Sequence, residues 1–307
     1  MSEEKCHTKG LDSQSILNEV TNTLLYEGYS LFPYHRSAVK NQKPIPFGIV
    51  FPKMYAIYNK YFSAEMQAEC IVRGKGNIGV ETTCRFLHLL KSDGGWQTIE
   101  RKIDSENVIC PGLQIKMKKT PFQFGYEGEN GILPINGNLT IKAEAVDGED
   151  NIFKITVTVS NTSLVEQPQD LLRDEALRQS FLSTHVILRT SNAEFVSTQN
   201  PSEDLIGVVT QCKNKGLWPV LIDAENTTML CSPIIVYDHP KIHPQSKTDL
   251  FDSTEIEEAL MLHFSAMSEA EKQDISNSDE RLAFMINKVA EITAEELISL
   301  HGRMKEV

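Results

Sequence analysis

The stretch "NIFKITVTVSNTS", residues 151–163, decides the fold. Phe153, Ile155, Val157 and Val159 alternate with Lys154, Thr156, Thr158 and Ser160. A period of two puts one set of side chains against a core and the other in water, which is the signature of a half-buried strand. Just upstream, "NLTIKAEAV" (138–146) repeats the pattern, and "DGED" (147–150) joins the two runs as a hairpin turn. Further upstream, "VETTCRFLHLL" (80–90) and "WQTIERKI" (96–103) flank "KSDGG" (91–95), a second hairpin. Downstream, "HVILRT" (185–190), "AEFVST" (193–198), "WPVLI" (218–222) and "CSPIIVY" (231–237) read as four more strands. Many short strands joined by turn signals predict a sandwich or an open barrel.

Helices are expected at both ends of this β region. "SQSILNEVTNTLLYEGY" (13–29) carries Ile16, Leu17, Val20, Leu24 and Leu25 on one helical face, and Gly28 stops it. The next segment, to about residue 53, holds four prolines and is expected to be extended. "QDLLRDEALRQSFL" (169–182) reads as a short helix, while "EDLIGVVTQCKNKG" (203–216) fits helix or strand. Thr254…Glu257, Ser268…Glu271 and Thr293…Glu296 each match the capping box before an apolar run. The expected class is therefore α+β: an antiparallel β-sandwich or barrel-like core with an N-terminal helix and a helical C-terminal region. The divisions are a disordered N-terminus at 1–12, a β-rich core domain with short helices at 13–252, and the helical region at 253–307.

Composition excludes several classes of function. The 307-residue chain is 40% hydrophobic and 23% charged, an ordinary globular balance. Its formal net charge is −12. A nucleic-acid binder needs a positive surface, and the one basic cluster, "KMKKT" (116–120), reads as the solvated edge of a sheet. No run of about 18 apolar residues is present, so no membrane insertion is expected. The polar start "MSEEKCHTKGLDSQS" lacks the apolar core of a signal peptide, which points to a cytoplasmic protein. The six cysteines contain no C-x-x-C spacing. Cys70, Cys84 and Cys231 sit in apolar runs and read as small core hydrophobes.

The motifs that carry chemistry are sparse. "RGKGNIG" holds G-x-G-x-x-G at Gly74, Gly76 and Gly79, but a strand-like run follows where a dinucleotide site needs a helix. A glycine-rich hairpin turn explains it better. Ser183 and His185 share a strand face, with a core histidine at a helix–strand junction as the simpler reading. His88 lies on a mostly apolar face and reads likewise. There is no G-x-S-x-G and no P-loop, and no motif specifies a cofactor.

Two segments supply candidate sites. Residues 26–58 are rich in aromatics, and Tyr29, Phe32, Tyr34, Tyr55 and Tyr58 are candidate partner contacts because aromatics are enriched at interface cores. His35 and Arg36, a cationic pair among them, are candidates to bind a carboxylate or stack on a ring. In "YDHPKIHPQSKTDLFDSTEIEE" (237–258), His239 and His243 stand four apart, with Asp238 and Asp249 nearby, as a candidate metal site. Pro240 and Pro244 push both histidines toward extended geometry. Four extended residues span roughly 13 Å, against zinc–nitrogen bonds of about 2 Å, so a shared metal requires a sharp fold-back. Asp252, Glu255, Glu257 and Glu258 are accounted for by the start of the next helix.

A family resemblance adds context. "LLYEGYSLFPYHRSAVKN" (24–41), "CRFLHLL" (84–90), "DEALRQSFLSTHVIL" (174–188), "GLWPVLI" (216–222), "SPIIVYDHPKIHPQSKTDLFDSTEIEEAL" (232–260) and "ISLHG" (298–302) resemble an uncharacterised bacterial family. Its members are encoded beside nickel–iron hydrogenase genes and their maturation factors. Relatives tend to read Pro-Glu-Ser-Pro-Gly before "DLFD", where this chain has Pro244, Gln245, Ser246, Lys247 and Thr248. The resemblance implies a cytoplasmic accessory or scaffold protein that binds hydrogenase subunits or maturation factors. It implies no reaction and no catalytic residue. The rival expectation is a metal-dependent enzyme or metal carrier using the 238–249 loop.

Overall fold

The computed structural model describes residues 48–59, 61–92, 95–110, 115–125, 132–146 and 151–240, with Leu17, Thr21, Ser268, Glu269, Lys272, Gln273 and Asn287 besides. The fold is organised by one strand of 28 residues, β1 (Glu65–Ser92). β1 is followed by β2 (Gly95–Cys110), β3 (Lys116–Phe124), β4 (Ile135–Ala145), β5 (Ile152–Asn161), β6 (Leu182–Phe195), β7 (Trp218–Leu221) and β8 (Thr228–Ser232). Among the described residues, three short helices lie between or before them: α1 (Lys53–Tyr58), α2 (Arg173–Arg178) and α3 (Ile206–Val209).

These strands form one eight-stranded open sheet in the order β3-β4-β5-β1-β6-β8-β7, with β2 also on β1. Every strand pair is antiparallel. The expected antiparallel β core is thus present, as a single continuous sheet rather than two separate ones or a closed barrel. Continuity runs through β1. Its Glu65–Arg73 half pairs with β5, and its Ile78–Ser92 half pairs with β2. The change of partner falls on "RGKGNIG". Those glycines make no hairpin turn, contrary to the sequence expectation. β1 continues through them, and its pairing with β6 slips between Gly74 and Gly79. A Cβ on Gly74 would lie 2.6 Å from the Asn192 carbonyl oxygen and one on Gly79 2.6 Å from the Asn107 side-chain amide, while Gly76 is open but holds a positive φ of +80.

Both parts of the sheet contribute to one main core. β2 comes beside β3, where Ser105 Oγ and Thr120 Oγ1 are 3.1 Å apart and Lys118 Nζ donates to Glu106 Oε2 at 2.5 Å. Phe86 of β1 stacks on Phe181 at 4.5 Å between ring centres, and Phe122 of β3 lies 5.4 Å from Phe181. Gly137 of β4 sits under Phe122 and Phe181, leaving no space for a Cβ. Cys70, Cys84 and Cys231 are buried in this core as thiols, as their apolar runs predicted.

β6 is buried on both faces over Leu182–Leu188, which explains why Val186–Leu188 shows no alternation. Val186 and Leu188 face the main core, whereas Ile187 joins a second cluster with Leu17, Val220, Ile222, Leu230 and Val236. Leu17 and Thr21 are helical, and Thr21 Oγ1 accepts a hydrogen bond from Arg85 at 2.7 Å. "AEFVST" is no separate strand, since β6 runs through it to Phe195. β8 ends at Ser232, ahead of Pro233, which has no N–H to continue a ladder. "EDLIGVVT" resolves as the short helix α3. The remainder of the N-terminal helix, the 1–12 segment and almost all of the 253–307 region lie outside the described residues.

Candidate functional site

The partner-contact expectation meets the structure at α1. Pro52 opens this helix, and Tyr55 is its single buried residue. Tyr55 anchors the helix through rings: Phe51 stacks on Phe62 at 4.2 Å, and Tyr55 lies 5.9 Å from Phe62 and 5.6 Å from Phe51. The Arg173 guanidinium covers Phe62 at 5.6 Å, and burial pushes the Tyr55 phenol up from its ordinary pKa. With Tyr55 turned inward, the other face turns out. Ile57 is 62% exposed, Tyr58 61% and Tyr61 78%, with Met54 also exposed. Met54, Ile57 and Tyr58 fall at i, i+3 and i+4, the spacing of one helical face, and Tyr61 follows beyond the helix end. Leu172, next to Arg173, is exposed as well.

Of the named contact candidates, Tyr58 is on this surface and Tyr55 is not; Tyr55 is the buried anchor that orients the others. Tyr29, Phe32, Tyr34, His35 and Arg36 lie outside the described residues. Met54, Ile57 and Tyr61 were missed by sequence reasoning. Their signal was present in "KMYAIYNKYF", which carries more apolar residues than one short helix can bury.

The metal candidates divide in the same way. Asp238 Oδ2 accepts from Ser197 Oγ at 2.5 Å, and Oδ1 accepts from the Leu221 N–H at 2.8 Å. The His239 N–H donates to the Leu221 carbonyl at 2.7 Å, with His239 in the left-handed region at φ +53. Both backbone groups of Leu221 are therefore capped by residues 238–239. Thr198 Oγ1 donates to Pro219 O at 3.0 Å. Together these contacts block the outer edge of β7, which would otherwise offer free ladder positions. Asp238 thus acts as a strut. His243 and Asp249 lie outside the described residues, and among the described residues no group of three or more His, Cys, Asp or Glu is placed to hold a metal ion.

Asp238 and His239 also border a cleft of about 370 Å³ beside β1, walled by Arg73, Glu194 and Asn226. Elsewhere, Ser183 and His185 form no nucleophile–base pair. A ring nitrogen of His185, Nδ1, is 3.0 Å from the Ser183 carbonyl oxygen, while Ser183 Oγ is buried without a hydrogen-bond partner. Burial, with Arg85 nearby, lowers the His185 pKa to about 4. His88 is fully buried with Nε2 3.2 Å from Arg178 O; burial and then Arg101 lower its pKa to about 4. The glycine motif is followed by strand, so no helix N-terminus is available to a pyrophosphate.

Comparison with protein-family models finds no match, and comparison with curated proteins finds none.

Proposed function

We propose that this protein is a non-enzymatic accessory protein that binds protein partners through the exposed face of α1. The observation that carries the proposal is the outward set Met54, Ile57 and Tyr58, with Tyr61 just beyond the helix, beside the Phe51–Tyr55–Phe62 ring stack that seats α1. Exposed large apolar side chains grouped in one patch mark interaction sites, and tyrosine is enriched at the centres of interfaces. The sheet is read as a sandwich-like scaffold that presents this face.

The partner we infer is a subunit or maturation factor of a nickel–iron hydrogenase, with the protein working in the cytoplasm during assembly or organisation of that enzyme. The family resemblance supports this choice. The metal-carrier alternative draws no support from Asp238, whose carboxylate is already engaged by Ser197 and Leu221.

The test is co-purification of the tagged full chain from cells making a nickel–iron hydrogenase, with mass spectrometry of the eluate. Hydrogenase subunits or maturation factors in stoichiometric amount are expected. A chain that elutes alone overturns the proposal.

A further inference from the structure

The segment that supplies α1 has a charge pattern opposite to that of the chain as a whole. Residues 28–64 hold no aspartate or glutamate, in a chain with 42 of them, where the average density predicts about five. The same stretch carries Arg36, Lys40, Lys43, Lys53 and Lys60. With a net charge of −12 on the whole protein, this is a local reversal of sign.

Lys53 brings that reversal to the surface beside the apolar set. It is exposed, next to Met54, in the first turn of α1. A cation there opposes the helix dipole, and the first turn has no acidic residue to offset it. Helix stability therefore does not account for a lysine at this position. Lys60 stands in sequence between Asn59 and Tyr61. Glu65, the first acid after the stretch, faces Lys215, with 3.6 Å between Oε1 and Nζ. Arg173, over Phe62, is followed in the chain by Asp174, which offsets its charge. The outward set is also half phenolic. Tyr58 and Tyr61 each carry an O–H that can donate to a carboxylate.

We propose that the partner docking on the α1 face presents an acidic protein surface, an inference that rests on the α1 proposal itself. Aliphatic or aromatic side chains form its centre, and flanking aspartates or glutamates meet Lys53 and the two phenols. Charged rims set the choice of partner and the rate of encounter, while the apolar centre excludes water. A six-residue helix lacks the long apolar face with which amphipathic helices bind lipid, so a protein surface is the occupant.

Tagged full chains, as the parent and as Lys53→Glu, Lys53→Arg and Tyr58→Ser, are made in cells producing a nickel–iron hydrogenase. Captured hydrogenase subunits and maturation factors are quantified by mass spectrometry after washes in about 0.05 M and about 0.5 M salt. Lys53→Glu and the higher salt are each expected to lower capture about fivefold or more, and Lys53→Arg to retain it. Lys53→Glu is expected to melt no lower than the parent, because an acid suits the helix dipole at that position. The salt response is read on the parent alone, so it does not depend on the folding of any variant. Capture lost in Tyr58→Ser, but full in Lys53→Glu and at both salts, leaves the α1 proposal standing and overturns the acidic partner. Capture unchanged in every variant, or absent in the parent, overturns the α1 proposal and this inference with it. Binding of the parent to phosphatidylglycerol vesicles, with no protein captured, assigns the face to lipid and overturns the inference as well.

Discussion

Asp238 shows how one side chain gains its role from residues far away in the chain. Sequence left it unexplained by helix capping, and therefore a candidate ligand. Its partner Ser197 is 41 positions upstream, so no local pattern could reveal the strut. Removing the carboxylate leaves the Leu221 N–H without its acceptor. Asp238→Ala is expected to lower the unfolding free energy by about 2 kcal/mol, and Asp238→Asn, which keeps one oxygen, by less. Urea titration checks both; equal stability of Asp238→Ala and the parent would remove the strut. The tyrosines of α1 separate as cleanly. Tyr55→Ala empties a stacked, buried position and is expected to cost about 3 kcal/mol. Ile57→Ser and Tyr58→Ser alter exposed positions and are expected to stay within about 0.5 kcal/mol of the parent. Both tyrosines looked alike in sequence, because a six-residue helix carries too few turns to show which face is buried.

Among the elements, the period-two runs of β4 and β5 were fully legible, since each has one face in the core and one in solvent. β6 was legible only in part. Burial on both faces removes alternation, and polar Ser191 and Asn192 looked like a gap between two strands. β1 was the least legible. Its glycines resemble turn residues locally, but they sit where β1 exchanges β5 for β2 and where its pairing with β6 slips. Gly74→Val inserts a side chain against Ala193 and the Asn192 carbonyl. It is expected to cost about 1–3 kcal/mol by overpacking, measured by thermal and urea unfolding. Tolerance of valine there would show that the partner exchange does not require glycine at 74. The candidate site was legible only as an aromatic-rich segment, because exposure is set by what packs on α1 and not by the helix itself.

At the scale of the whole molecule, the two buried histidines predict the pH response. His88 and His185 are held neutral, each with its pKa lowered from 6.5 to about 4. Above pH 6.5 neither state binds these protons, and stability is unaffected. Between 6.5 and about 4 the unfolded chain takes up protons that the folded protein refuses, so stability falls as pH falls. The loss is on the order of 3 kcal/mol per histidine by pH 4. Urea midpoints measured from pH 7.5 down to 5 are expected to decline, and the decline is expected to flatten in a His88→Gln/His185→Gln variant. A midpoint independent of pH over that range would show that the histidines are not held neutral by the fold.

The α1 face is the centre of the functional account, and site-specific photo-crosslinking tests it most directly. A photo-reactive amino acid replaces Tyr58 in one culture and the exposed Glu81 in another, each making a nickel–iron hydrogenase. The account predicts a crosslink from position 58 to a hydrogenase subunit or maturation factor, and none from position 81. No crosslink at 58, or the same products from both positions, would contradict it.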